Sequence, residues 1–515
     1  MPADHDAVSG EPRTWLPDPS HYPEQMTPLS ASVWFDAMGR GVHAAARELG
    51  AAFGGFRTRV ELGWAYEGEL EPEWEPDRAK LERAALDLPE RWEHELRPRV
   101  LEINAELERM RPDRPPRDEA VTMLDRLSAL VQEEWRIHFL VVLPALVSAE
   151  LLQEAAGGDD PLAAFRLLEG MENPADDGVW ELAEAARRHG VDDLVRDLAP
   201  AAALGRLRET APGRRFLVVL DDYLARYGGR ARWHELSLPR EVEQPTLTLE
   251  SIRLALDAPA RPAREPAPEP PAELRDLFVR ARAAYALKEL HTYDIDYPGL
   301  LATREALLGF GLRLVAEGLL DERDDVWMLE REELRAALTE PADLRAIVAA
   351  RRADLERGRG EGARPFLGDP PEQRERDAVV ERFYGSAGTA LSGSGASPGI
   401  AEGIARVVAG PADFARIRNG DVLVTTTTTP AWTPLFPSLG ALVTETGGIL
   451  SHAAVVAREY RPPRSSALRA QRRRSSTARA SASTEPPARS PSSRASRRRA
   501  CSTPSRRRAS RCDSP

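Results

Sequence analysis

The sequence predicts a multidomain chain, with a mainly α-helical N-terminal region and a smaller C-terminal β/β/α domain that is cut short. Three observations carry that prediction. Apolar residues recur at spacings of three and four over most of residues 32–356. Short β-type runs are concentrated after residue 400, in the order strand, threonine-rich loop, strand, Gly-Gly turn, helix. From residue 461 the apolar period disappears into Arg, Ser, Ala and Pro.

The 515 residues suffice for two or three domains. The expected division is a helical substrate-binding domain at 1–257, a Pro-rich linker or loop at 258–272 and a helical continuation at 273–356. A flexible linker at 357–393, the β/β/α domain at 394–460 and an Arg/Ser-rich disordered tail at 461–515 follow.

Lysine is nearly absent, at Lys80 and Lys288 only, and arginine carries the positive charge. The overall net charge of -12 conceals two opposed parts. The tail holds 16 arginines against Glu485 and Asp513, a net of +14, which leaves -26 on residues 1–460. An acidic body of that kind argues against nucleic acid as its partner. Both cysteines, Cys501 and Cys512, lie in the tail, so neither a disulfide framework nor a cysteine metal site is expected. The N-terminus has no signal-peptide pattern. The longest apolar run, Phe139–Val147, contains Pro144 and is too short to span a bilayer. The expectation is a cytoplasmic protein with no membrane partner.

Residues 1–30 read as an irregular Pro-rich lead-in that ends near Thr27-Pro28-Leu29. Trp34, Val42, Ala45 and Leu49 then mark one helical face. Helix continues through Leu81–Leu107, where Pro89 and Pro98 should break or kink it. The strongest helix is Leu127–Leu152, with Leu130, Trp135, Phe139, Val142, Leu146 and Ala149 on its apolar face. His138 inside it reads as a core or groove histidine. Trp135 and Phe139 are candidate lining of an apolar ligand pocket. Helices around 161–169, 180–189 and 201–210 follow.

The segment from Phe216 to Pro239 is a helix that ends at Gly228-Gly229. Past the Pro-rich stretch, helices are expected over Leu274–Thr292 and Tyr297–Glu317. Between them, His291, Asp294 and Asp296 suggest metal ligands. No further Glu or His completes a known spacing, so the reading is a solvated turn and no metal site. The glycines at 393, 395, 399 and 403 do not make a dinucleotide fingerprint. Strands are expected at Gly403–Val408, Gly420–Thr425 and Ala441–Thr444.

The last of these strands enters the most informative stretch, Thr444–Tyr460. Gly447 and Gly448 permit a tight turn. Ser451 is a good N-cap, which places His452 at a helix start where backbone N–H groups and the dipole favour a phosphate. Neutral imidazole there is a competent nucleophile near pH 7.

The run Thr444, Glu445, Gly447, Gly448, Ser451, His452, Ala453, Ala454, Ala457 and Arg458 resembles the phosphohistidine signature of the PEP-utilising enzymes, in their mobile or swivelling domain. That family includes pyruvate phosphate dikinase, phosphoenolpyruvate synthase and rifampicin phosphotransferase. Thr27-Pro28-Leu29 and the Tyr227-Gly228-Gly229-Arg230 segment, with Glu235, resemble the middle domain of the rifampicin phosphotransferase-like members. Gly229 stands where those relatives carry His.

The resemblance implies a phosphotransferase component, dikinase-like, with His452 as catalytic phosphoryl carrier. Thr444, Gly447, Gly448, Ser451 and Arg458, with Thr427, Thr428 and Thr429, would support the phosphate. Trp135, Phe139, Tyr227 and Arg230 would serve acceptor binding. It also implies ATP and Mg, bound by a separate ATP-grasp protein, and a small-molecule acceptor; no cofactor is expected within this chain. The family pattern would continue past Tyr460 with a Gly-x-Pro-Ala-Val-Val-Gly strand. Re-reading common codons for 461–467 one frame over permits Thr-Pro-Ala-Val-Val-Gly, so a frameshift is the expected origin of the tail. The alternative is a non-catalytic helical binding protein with a degenerate, truncated His domain.

Overall fold

The computed structural model describes residues 11–19, 21–111, 114–156, 167–168, 173–231, 234–258, 261, 269–369, 400–408, 416–418, 420–425, 428, 432, 435–436, 439–444 and 478–483. These residues are mostly helical, as the spacing predicts, with two four-stranded sheets.

The first sheet was not expected. Strand β1 (Thr14–Pro17) lies in the lead-in read as irregular. It pairs antiparallel with β3 (Trp64–Glu69), which forms a hairpin with β2 (Phe56–Glu61). The hairpin turns at Leu62 and Gly63, with φ of 50° and 84°. Two left-handed residues match the twist of the flanking strands, and Gly at the second removes half of the steric cost. The fourth strand, β4 (Leu367–Gly368), comes from about 350 residues further along and pairs with β1 at Thr14 and Trp15. The flexible linker placed at 357–393 is corrected at its start, because helix continues to Glu361 and β4 follows it. A helix start at Arg345 and a strand partner at Thr14 outweigh the local Gly and Arg content.

After β1, α1 (Pro28–Ser30), a π turn at Ala31–Phe35 and α2 (Asp36–Leu49) form one continuous stretch. The break expected at Pro89 and Pro98 is absorbed. Helix α3 (Arg78–Arg91) passes through a π turn at Trp92–Leu96 into α4 (Arg97–Arg109). A wider turn at 92–96 relieves the clash that the Pro98 ring would make with the preceding turn.

Helix α5 (Arg117–Ala156) runs for 40 residues, about 60 Å at the usual rise, with Pro144 inside it. By length and composition it could cross a membrane, contrary to the sequence expectation, but 61% of its most apolar window is buried in the protein. It packs against α2 and α3. Its apolar face merges with the main core through Leu124, Leu127, Val131, Trp135 and Leu140.

A second cluster of helices comprises α6 (Pro174–His189), α7 (Asp192–Asp197), α8 (Pro200–Glu209), α9 (Ala211–Tyr227) and α10 (Thr246–Asp257). Trp180, Phe216, Leu220 and Ile252 form its core. Helices α11 (Arg275–Leu290) and α12 (Asp296–Ala316), joined by a 3-10 turn at His291–Tyr293, return to α5. Helices α13 (Arg331–Thr339) and α14 (Arg345–Glu361) lead to β4.

Two distant segments meet at Glu235, which is buried. Its carboxylate accepts from Ser30 Oγ at 2.6 Å, Thr27 Oγ1 at 2.7 Å and the Ser237 amide at 3.0 Å. Just before it, Gly229 is closed over by α12. A Cβ there would lie 2.4 Å from the Tyr297 carbonyl oxygen, so no side chain fits without moving that helix.

The second sheet has the order β7-β6-β5-β8, with β5 (Ile400–Val407), β6 (Val422–Thr425) and β7 (Ala441–Thr444) parallel. Strand β8 (Ala478–Ser483) pairs antiparallel with β5. It lies within the tail expected to be disordered. Backbone pairing to an open strand edge needs no particular side chains, which is why residue type did not signal it. Val408, Leu423, Trp432, Phe436 and Leu442 form the core beside the sheet, and Leu254 of α10 packs against it.

Two stability predictions follow from these contacts. Glu235→Ala strips the acceptor from the buried Ser30 hydroxyl and from the Thr27 and Ser237 amides and should cost about 2–3 kcal/mol in urea denaturation, with faster amide exchange over 27–30. Gly229→His should cost about 1–3 kcal/mol through overpacking against Tyr297. An unchanged denaturation midpoint in either variant contradicts the corresponding packing.

Candidate functional site

The titratable groups of the helical region converge where α5 meets α11 and α12. His138 projects from α5, His291 from the 3-10 turn and Asp296 from the first turn of α12. His138 Nδ1 is 2.9 Å from Asp296 Oδ1 and 3.0 Å from His291 Nε2, and His291 Nε2 is 3.9 Å from Asp296 Oδ2. His291 Nδ1 donates to the Leu287 carbonyl at 2.7 Å. His291 is 1% exposed and Asp296 5%, whereas the His138 side chain keeps 16% of its surface. The solvated turn expected here is thereby corrected. His138, 153 residues upstream of His291, is the partner that local spacing did not reveal. Asp294 alone faces outward, paired with Arg97 at 2.8 Å.

Glu134 lies one helical turn before His138 on the same side of α5. It is 1% exposed, and neither carboxylate oxygen has a hydrogen-bond partner among the described residues. Gly299, nearly one turn beyond Asp296, makes room for it. A Cβ on Gly299 would stand 2.5 Å from Glu134 Oε2.

Two more histidines join from the N-terminal lead-in and the 234–240 loop. The His21 and His234 rings are 5.7 Å apart, and His21 Nδ1 is 2.8 Å from the buried Asp18 carboxylate. Four of the nine histidines thus gather around Asp296. Lys288, one of two lysines in the chain, pairs with Glu289 at 2.7 Å and its charge bears on His21.

Burial and mutual repulsion set the protonation of this group. Burial and then the charge of His138 push the His291 imidazole down to about 4. Burial and His21 push His234 down to about 4. Burial works against charge on His21 too, but Asp18 outweighs it and raises His21. Burial would raise Asp296, yet His138 and His291 hold its carboxyl below the usual carboxylate range. Glu134 is driven well above that range by burial and by Asp296. Strongly perturbed groups gathered in this way mark functional sites more often than ordinary surface.

The residues expected to bind acceptor divide around this cluster. Trp135 and Phe139 flank His138 on α5, with ring centroids 4.9 Å from it in both cases, and form one wall. Both are buried, and Trp135 also packs edge-on against Trp34 at 5.0 Å. Tyr227 stands in a row of rings with Tyr223, Tyr293 and Tyr297, bordering the turn that carries His291. Arg230 is enclosed, donating to Tyr223 Oη at 2.6 Å and pairing with Glu241 at 3.3 Å. Its guanidinium holds the second helical cluster together.

A groove of about 700 Å³ lies elsewhere, lined by Arg40, Asp125, Arg331 and Arg351 among others. Its charges are mutually satisfied, with Arg331 on Asp125 at 2.8 Å and Arg351 on Glu333 at 2.5 Å. It lacks the convergent perturbed groups of the histidine cluster.

In the C-terminal sheet, Thr425 and Thr444 end adjacent parallel strands in register, both buried. Thr428 is buried with its hydroxyl unpartnered. Ligands of open parallel sheets sit beyond such strand ends. Thr427, Thr429, Gly447, Gly448, Ser451, His452 and Arg458 lie outside the described residues.

Comparison with known proteins finds a match in each region. Residues 137–292 match the rifampicin phosphotransferase fourth domain, an interval that holds both His138 and His291. Residues 417–469 match the mobile domain of PEP-utilising enzymes, ending past the boundary expected at 460. The chain is 30% identical to chondramide synthase cmdD of Chondromyces crocatus over 87% of its own length and 13% of that protein. It is 28% identical to the uncharacterized phosphotransferase YvkC of Bacillus subtilis, over 67% of this chain and 46% of that one. It is 34% identical to the rifampicin phosphotransferase of Streptomyces sviceus, over 37% of this chain and 21% of that enzyme. The chain therefore spans less than half of each of these relatives. The two matched segments and the rifampicin phosphotransferase relatives make the chain similar to the rifampicin phosphotransferase-like members of the PEP-utilising enzymes.

Proposed function

We propose that this chain is the carrier and acceptor-binding part of a phosphotransferase. His452 takes a phosphoryl group from a nucleotide site outside these 515 residues and passes it to a small molecule bound beside the His138–Asp296 cluster. The observation that carries this reading is the histidine cluster within the segment matching the rifampicin phosphotransferase fourth domain, on a chain that also holds the His452 signature.

The transfer needs little from the protein beyond position and charge. The N–P bond at His452 breaks, an acceptor hydroxyl oxygen forms the new P–O bond, and its proton leaves for a nearby base. The imidazole recovers its lone pair. His138 is suited to receive that proton, being partly accessible with Asp296 to orient and stabilise it. Lys288 supplies positive charge for the moving phosphoryl oxygens. Trp135 and Phe139 provide an apolar wall for an aromatic or macrocyclic acceptor. ATP and Mg enter with an ATP-grasp partner, which loads His452 in the dikinase manner in the cytoplasm. Rifampicin, named in three similar proteins, is the first acceptor to try.

The chain, mixed with labelled ATP and the nucleotide-binding domain of a rifampicin phosphotransferase, should acquire acid-labile label that is lost in His452→Ala. Absence of label, or its survival in the alanine variant, overturns the carrier role and favours a non-catalytic binding protein. Lys288→Gln should leave loading intact and slow discharge to acceptor by about 100-fold, as loss of one charge-stabilising donor does. Equal discharge by both proteins would remove Lys288 from the site.

A further inference from the structure

The geometry points to a divalent metal site of the zinc type at His138, His291 and Asp296, with buried Glu134 nearby as the carboxylate that balances its charge. The three ligand atoms lie within 4.8 Å of one another.

The argument is a count of protons and lone pairs. The Leu287 carbonyl can only accept, so His291 Nδ1 must donate to it. In neutral His291 the Nε2 atom then carries a lone pair. That lone pair faces His138 Nδ1 at 3.0 Å and Asp296 Oδ2 at 3.9 Å. His138 Nδ1 is also 2.9 Å from Asp296 Oδ1. One proton on His138 Nδ1 cannot serve both neighbours in full, and it leaves two acceptors facing each other. Those three groups hold more lone pairs than protons. A single divalent ion resolves the excess, and with Glu134 ionised beside it two neutral imidazoles and two carboxylates sum to zero charge.

The dimensions agree. Zinc-to-ligand bonds of about 2.0–2.2 Å at tetrahedral angles separate ligand atoms by about 3.3–3.5 Å. The observed 2.9, 3.0 and 3.9 Å bracket that range, so small side-chain shifts suffice. The hydrogen bond from His291 to a backbone carbonyl is the outer contact that fixes tautomer and ring direction in metal-bound histidines. A His, His, carboxylate donor set with an exposed edge at His138 suits zinc, or another borderline first-row ion, better than calcium or magnesium.

Binding of the ion does not depend on the phosphotransfer reading. Its role does: it would draw an acceptor hydroxyl toward ionisation as a Lewis acid, and His138 would then hold the metal rather than take the proton.

The test uses the full chain with Cys501→Ala and Cys512→Ala, so that tail thiols cannot bind metal. Protein stripped with chelator is titrated with zinc and, separately, with cobalt(II). One equivalent of zinc and a visible cobalt band of a four- or five-coordinate site are expected. His138→Asn and His291→Gln should each abolish the band, and Glu134→Gln should weaken binding by about 10–100-fold. Circular dichroism checks that each variant is folded. The proposal is overturned by a folded parent protein that binds no stoichiometric zinc and gives no cobalt band, or by a band unchanged in folded His291→Gln. Metal binding without any label on His452 would retain the site and reject the carrier role.

Discussion

The close approach of α5 and α12 at Gly299 and Glu134 is the constraint on which the site depends. Helix α5 is a core helix, buried along most of its length, and its surroundings are apolar. A carboxylate at 134 and an imidazole at 138 are costly there unless something opposite receives them. Gly299 brings the α12 backbone against Glu134, and Asp296, nearly a turn earlier, meets His138. One helix pair therefore sets both the packing and the polar cluster. A larger residue at 299 would push the two faces apart and loosen every distance in the cluster.

The terminal parts of the helical body are held by contacts between residues far apart in sequence. Glu235 fastens Thr27 and Ser30, and β4 fastens Thr14 and Trp15. These bonds place the lead-in, and with it Asp18 and His21, over the site. A segment that reads as a tail in sequence is structural because its hydroxyls and backbone groups are satisfied only by residues hundreds of positions away.

Legibility followed the range of the interaction. The helices were readable because three-and-four spacing is local, and the strands at 422–425 and 441–444 because apolar runs ended by glycine or threonine are local too. The first sheet was missed because its order, β2-β3-β1-β4, is assembled from three separate regions. The Leu62-Gly63 turn between alternating residues was nevertheless a usable hairpin signal. The His452 signature was legible as a contiguous run. The histidine cluster of the helical region was not, because His138 and His291 meet only through tertiary packing. Two hints were present all the same. Lys288 is an exception in a chain that uses arginine almost everywhere, and Glu134 and His138 place polar groups one turn apart inside the strongest apolar helix.

Gly229 shows why a departure from a family pattern must be read in three dimensions. At the position where the resemblance leads one to expect His, the Tyr297 carbonyl occupies the space of any side chain. An imidazole at 229 thus fits only if α12 moves away. The same α12 backbone segment that excludes it delivers Asp296 to His138 and His291 and seats Tyr297 in the tyrosine row beside them. The glycine lets α12 come close, and that closeness places a carboxylate among four histidines. Lack of histidine at 229 therefore leaves the helical region with imidazole chemistry, drawn from positions 21, 138, 234 and 291 and organised by one buried aspartate.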